Sequence, residues 1–269
     1  FDAVAIDNFE ELNSHNINVI TFSCEKEAWR KPLLQRLIDN FPPPKYDFVI
    51  VCALPKESIA YRSIGLDISE SKSIQGLDCL DIKLDSLKGL VITCPRMGLV
   101  DAAITSTMAL QIFKPKLIAM SGICAGIEGE AEIYDITIPE LCYQHDSGKW
   151  TADGFTPEPY SIQLDHTVKL KIKELISREG FVNHILSDIS PNRSEIPQHL
   201  EKISTSIKLG ILSSGSAVVA DENFNKIINM QHRKIAAFEM ESYALYEAAR
   251  LTDFKPMLFS AKEVVDNRT

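Results

Sequence analysis

Short continuous apolar runs alternate along most of this chain with stretches whose apolar positions recur every three or four residues. Runs such as Val-Ile-Val-Cys-Ala predict strands at 48–53, 89–94, 117–121, 133–138, 208–212, 235–238 and 257–260. The helical period predicts helices at 100–113, 167–177, 224–231 and 242–252. Strands that are apolar on both faces need cover on both faces, so the pattern implies an α/β fold with helices flanking the sheet. Such sheets bind ligands beyond the carboxyl ends of their strands.

A different pattern precedes Pro42-Pro43-Pro44. Three prolines exclude helix and favour an extended spacer. Upstream, the sequence predicts a strand at 1–6, a short helix at 9–13 and a strand at 17–22. An amphipathic helix carrying Trp29, Leu33, Leu34, Leu37 and Ile38 follows. That unit is too small for a core of its own. The expected organisation is a unit at 1–41, a linker at 42–45 and a catalytic domain at 46–269. The chain opens inside a strand without an initiator Met and stops just after one, so a fragment of a longer chain is expected.

Composition narrows the function. Of the 269 residues, 45% are hydrophobic and 24% charged, which is ordinary for a globular protein. A net charge of -9 argues against a nucleic-acid partner, which needs a basic face. No apolar run approaches the roughly 20 residues of a membrane span. The six cysteines, without a C-x-x-C pair, read as reduced thiols of a cytoplasmic protein. The six histidines show no metal spacing, and neither a G-x-G-x-x-G fingerprint nor a P-loop lysine is present. No metal or cofactor is expected.

Candidate chemistry sits at the predicted strand ends. In Ala236-Ala237-Phe238-Glu239-Met240-Glu241-Ser242, two carboxylates flank a Met where an apolar strand runs into a helix. Buried carboxylates are costly unless paired, but a carboxylate can accept both hydroxyls of a sugar while Met packs on its ring. Glu57 sits at the turn after the first strand of the large domain. It is either a helix-opening acid or a carboxylate that orients water. Gly98 lies at a strand-to-helix turn where the backbone can approach an anion or a sugar hydroxyl, and Gly122, in a small-residue turn after a buried strand, serves either close backbone packing or a wall of the base pocket. Arg96 could meet a phosphate or simply be solvated. Val218 and Val219, after Ser213-Ser214-Gly215-Ser216, suit a slot for a flat base or an ordinary turn. His145 follows a strand end and is a candidate for the pocket lining. Asp266 follows an apolar strand and is either a partly desolvated carboxylate whose raised pKa would let it protonate a leaving group or a solvated loop acid.

The order and spacing of these segments over about 46–266 resemble the purine nucleoside phosphorylase and nucleosidase superfamily, most specifically through Phe238-Glu239-Met240-Glu241. The resemblance implies a mixed central sheet flanked by helices. It further implies cleavage of an N-glycosidic bond with Glu57 activating water and Asp266 protonating the purine. Met240 and Glu241 would bind ribose, with Val218 and Val219 on the base. Phosphorylases of the family carry G-D-P-x-R after the first strand, where this chain has Ala53-Leu54-Pro55-Lys56-Glu57; water is therefore expected as nucleophile. The stretch from Pro256 to Asp266 is one residue longer than the family pattern, so Asp266 reaches its place only through a bulge.

The front unit, with Asp7 after its first strand, resembles pieces of a receiver domain. A receiver-like unit joined to a nucleosidase resembles the phosphorylase-like effectors of bacterial antiphage systems. That resemblance implies ATP or related adenine nucleotides as substrate and an upstream phosphorelay or sensor protein as partner. It would make Arg96, Lys56 and Arg62 candidate triphosphate contacts. A salvage nucleosidase acting on methylthioadenosine or another purine nucleoside is the enzyme alternative, and a nucleoside sensor without chemistry is the other. Family members imply a homo-oligomer.

Overall fold

The computed structural model describes residues 46–187, 205–218 and 234–266, with Ile228, Gln231 and His232. The receiver-like unit, the proline linker, Val219 and most of the helix expected at 224–231 lie outside the described residues.

The elements are β1 (Phe48–Cys52), α1 (Pro55–Ala60), β2 (Asp67–Ile68), β3 (Lys72–Ile74), β4 (Leu77–Leu84) and β5 (Leu87–Thr93). Next come α2 (Leu99–Phe113), β6 (Leu117–Gly126), β7 (Ile136–Gln144), β8 (Gly148–Thr151), β9 (Gly154–Pro157) and β10 (Ser161–Gln163). The series closes with α3 (His166–Ser177), α4 (Phe181–Ser187), β11 (Ile207–Ser214), β12 (Ile235–Glu239), α5 (Ser242–Arg250) and β13 (Met257–Asp266). One mixed sheet takes all strands except the hairpin β8–β9, in the order β10-β7-β11-β12-β6-β1-β5-β4-β2. In addition, β3 pairs with β4, and β13 pairs with both β6 and β7.

Those last pairings matter most. The circuit β6–β12–β11–β7–β13 returns to β6, so five strands form a closed ring at one side of the open sheet. Closure removes sheet edges there and fixes the strand ends relative to one another. Strand β6 runs to Gly126, well past the predicted 117–121, because its second half pairs with β13 and β12. Strand β13 likewise outruns 257–260 and contains a register shift: Val264 pairs with Cys124 and Asp266 with Ala125, leaving Val265 as the extra residue. This is the bulge that the sequence spacing requires.

Local chemistry sets the helix ends. Gly98 precedes α2 at φ 113°, open to glycine at no steric cost. Lys114 ends α2 in the left-handed region, its N–H bonded to the Leu110 carbonyl. Asp165 caps α3 by accepting from the Thr167 and Val168 amides. Pro55 opens α1 at a position whose N–H has no helical partner.

The main core lies between the open sheet, α2 and α5, where Val49, Val51, Leu90, Ile92, Leu110, Met120 and Leu245 are fully buried. A second cluster around Ile138, Cys142, Leu164, Ile172 and Tyr246 binds α3 and α5 to the ring side, and the Tyr246 hydroxyl donates to the Pro139 carbonyl at 2.9 Å. Five cysteines, Cys52, Cys79, Cys94, Cys124 and Cys142, are buried free thiols. No helix among the described residues is long and apolar enough to cross a membrane.

The ring leaves little space at its crossing. A Cβ on Gly126 would fall 2.3 Å from the Ala131 carbonyl oxygen and 2.7 Å from a Val264 methyl. Backbone cannot swing aside as a side chain can, so Gly126→Ala should cost on the order of 1–3 kcal/mol. Urea denaturation should show a lowered midpoint with an unchanged slope; an unchanged midpoint would mean that the ring is looser than described.

Candidate active site

The carboxyl ends of β1, β5, β7, β11, β12 and β13 converge with the second half of β6 around a pocket of about 230 Å³. Glu57, Met97, His145, Val218, Met240, Glu241 and Asp266 are among its lining residues. A larger open cleft of about 1060 Å³ lies among Tyr160, Val168, Tyr243, Arg250 and Met257. That cleft holds none of Glu57, Glu241 and Asp266, whereas convergent polar groups mark the smaller pocket as the functional candidate.

Glu57 is held by three backbone amides. Its Oε2 accepts from Ala53 and Leu54, each at 2.9 Å, and its Oε1 from Ile123 at 3.2 Å. Two of these bonds cap α1, so the helix-opening reading of Glu57 holds in part. The third ties it to β6, the strand beside β1. Gly122 explains how the carboxylate fits: a Cβ there would stand 2.8 Å from Oε1. Gly122 therefore acts under Glu57, while its neighbours Ile123, Cys124 and Ala125 form the wall.

Glu239 and Glu241 are both buried, and between them lies Lys262, fully buried in β13. Lys262 Nζ donates to Glu241 Oε2 at 3.1 Å and stands 3.4 Å from Glu239 Oε2. Glu239 Oε2 also accepts the Glu241 and Ser242 amides at 2.9 and 2.7 Å, and its Oε1 accepts the Ser214 hydroxyl. Protein groups thus occupy both oxygens of Glu239, which anchors the β12–α5 turn rather than standing ready for a substrate. Glu241 is different. Its Oε1 accepts only the Gly98 amide, at 2.9 Å, among the bonds described, and its side chain lines the pocket beside Met240. The anion that Gly98 and the N-terminus of α2 approach is this carboxylate.

Burial raises the Glu241 pKa, Lys262 pulls it down and Glu239 pushes it up, with a net rise. Burial would depress the Lys262 pKa, but Glu239, Glu241 and Glu57 together hold it above its ordinary value. Lys262 is accordingly a cation at neutral pH. Sequence reading passed over it. The available signal was a lysine, next to Glu263, within a mostly apolar strand.

His145 is buried, with Nδ1 2.8 Å from the Ser213 hydroxyl and its ring edge-on to Phe238 at 6.4 Å. Burial lowers its pKa below 6.5, against the opposing pull of Asp146 and Glu239. It brings no positive charge to the pocket at neutral pH.

The remaining expected residues divide. Val218 lines the pocket and is 70% exposed, a mouth residue rather than a closed slot. Asp266 also lines the pocket, but it is exposed at its rim, not desolvated as its apolar strand suggested. Arg96 is exposed and turned to Asp101 at 3.2 Å, outside the pocket lining. Arg62 faces Glu70 at 3.6 Å, also away from the pocket. No cluster of His, Cys, Asp and Glu fit to hold a metal occurs among the described residues.

Comparison with known proteins agrees with this architecture. A family model described as the phosphorylase superfamily matches residues 47–261. A 29% identical relative, the uncharacterized protein y4jS of Sinorhizobium fredii, aligns with 83% of this chain and 55% of its own length. The ATP nucleosidase Cap17 of Escherichia coli is 22% identical over 74% of this chain and 42% of its own. This chain spans about half the length of these curated relatives. Among solved structures, a Colwellia psychrerythraea 5'-methylthioadenosine/S-adenosylhomocysteine nucleosidase in complex with adenine superposes with a TM-score of 0.63 at 17% identity, covering 83% of this chain and 84% of that one. The futalosine hydrolase of Helicobacter pylori gives 0.61 at 18% identity, over 82% and 84%. These likenesses establish the same fold, and the family match over most of the chain makes this protein a member of the phosphorylase superfamily.

Proposed function

We propose that the pocket hydrolyses the N-glycosidic bond of a purine nucleoside or nucleotide. The observation that carries this reading is the meeting of Glu57, Glu241, Met240 and Asp266 around one small pocket from the ends of three strands, β1, β12 and β13. Glu241, with a protein donor on each oxygen, accepts the ribose hydroxyls and orients the sugar. Met240 packs on the ring, and Phe238 and Val218 flank the base. As the bond to the base breaks, its electron pair moves to the base and positive charge grows on the ribosyl group. The surrounding carboxylates favour that charge in place before it develops. Asp266 donates a proton to the departing base. Water adds to the anomeric carbon and yields its proton to Glu57, which the three amides keep aimed across the pocket. The strand-to-helix turn at Ala53–Glu57 lacks the arginine that a phosphate nucleophile would need, which supports water.

Adenine is the proposed base. ATP and related nucleotides are the first substrate class, supported by the likeness to the protein named ATP nucleosidase Cap17. With the receiver-like front unit, this supports a regulated cytoplasmic effector in antiphage defence, answering to an upstream phosphorelay or sensor protein. One observation favours a second class, nucleosides with an uncharged 5′ group: no lysine or arginine is among the described lining residues. A homo-oligomer is supported by the exposed apolar residues Met97, Val100 and Ile104 beside the pocket mouth.

Adenine release measured by chromatography decides these points. ATP, adenosine and methylthioadenosine should be offered with and without inorganic phosphate. Free adenine should form without phosphate, and both Glu57→Gln and Asp266→Asn should lower kcat by about 10²–10⁴-fold. Strict dependence on phosphate would make the protein a phosphorylase, and no release from any substrate would refute the hydrolase reading.

A further inference from the structure

We propose that Lys262 is a positioning residue: its buried ammonium fixes Glu241 for the sugar diol, and it thereby sets discrimination between substrates with and without the 2′ and 3′ hydroxyls. The inference rests on the proposed cleavage of a ribosyl bond.

The geometry separates Lys262 from an ordinary core ion pair. Its side chain is fully buried and is not part of the pocket lining, so it reaches substrate only through another group. That group is Glu241, held at 3.1 Å. Lys262 could in principle serve Glu239 equally, but Glu239 already takes two backbone amides and the Ser214 hydroxyl on its two oxygens. Glu241 has one amide, from Gly98. Loss of the ammonium would leave Glu241 with a single neutral donor and with Glu239 as a like-charged neighbour. A buried carboxylate in that position either takes up a proton or turns toward water. Either change spoils a bidentate acceptor for two hydroxyls. Glu57 keeps its three amides, although it loses a nearby cation, and Asp266 stays at the rim, so the groups assigned to water and base stay in place.

Charge alone therefore does not define the role of Lys262; the direction of the held carboxylate does. A substrate lacking both hydroxyls makes no use of Glu241 and should be indifferent to Lys262. A substrate carrying the diol should depend on it by the strength of a charge-assisted hydrogen bond, about 10- to 100-fold in kcat/KM.

The test compares adenine release from adenosine with that from 2′,3′-dideoxyadenosine, and from ATP with that from 2′,3′-dideoxy-ATP. Wild type, Lys262→Gln and Lys262→Arg are each checked for a cooperative thermal transition. In Lys262→Gln, kcat/KM for the diol substrate should fall about 10- to 100-fold while that for the dideoxy substrate changes by less than about threefold, so their ratio collapses. Lys262→Arg keeps the cation and should hold the ratio within about threefold of wild type. Equal losses on both substrates would show a merely structural lysine and overturn the inference, as would a collapsed ratio in folded Lys262→Arg. If wild type releases adenine from neither pair, the proposed activity itself is refuted, and this role of Lys262 goes with it.

Discussion

A buried ammonium between two buried carboxylates is the constraint on which this site depends. Glu239 ends β12, Glu241 opens α5 just beyond it, and Lys262 lies within β13, a strand that does not pair with β12; all three are shielded from water. Each charge alone would be expensive in that setting, and removing one of them would leave an uncompensated excess. Two carboxylates against one ammonium still leave a negative balance. The backbone supplies the difference: the Gly98 amide at the start of α2 faces Glu241, and the Glu241 and Ser242 amides at the start of α5 face Glu239. Two helix N-termini and one lysine therefore hold an acid pair inside the molecule.

The fold makes that arrangement possible by closing part of its sheet. The ring of β6, β12, β11, β7 and β13 brings the ends of strands far apart in sequence to one mouth, and the bulge at Val265 re-aims the last of them. Small residues are required where the ring tightens. Gly126 lies against backbone, Gly122 leaves room for the Glu57 carboxylate, and Gly215 lies against His145. The resulting pocket has carboxylates and apolar walls but, among its described lining, no lysine or arginine. A pocket of that kind suits a transition state that gains positive charge on the sugar.

Much of this was legible in the sequence, for a physical reason. Strands buried on both faces are written as unbroken apolar runs, so β1, β5, β12 and the first halves of β6 and β13 could be read directly. The segments β2, β3 and β4 were missed because Asp67, Lys72, Asp78 and Lys83 interrupt any apolar run; these strands lie toward the open edge of the sheet. The hairpin β8–β9 was missed because it carries exposed polar residues around Trp150 and Phe155. In the site, Glu57, Glu241 and Asp266 stood out as acids at the ends of apolar strands, with Met240 between the acids of the Glu-Met-Glu run. Lys262 did not, since its meaning depends on a partner over twenty residues away that only β13 docking on β6 brings near. Arg96 was open in sequence for the same reason: a basic residue at a strand end reads either as an anion contact or as solvated, and only the fold sets Asp101 beside it.

The most direct test of the account is a crystal structure of the protein with an adenosine analogue whose glycosidic bond carbon–carbon chemistry makes uncleavable. The account predicts ribose hydroxyls at about 2.5–3.0 Å from the Glu241 carboxylate, with Lys262 still on its far side. It also predicts the five-membered edge of the base turned toward Asp266 and a water between the sugar and Glu57. A sugar bound elsewhere in the pocket, with Glu241 touching only protein, would contradict the central claim that the buried Glu241, held by Lys262, binds ribose.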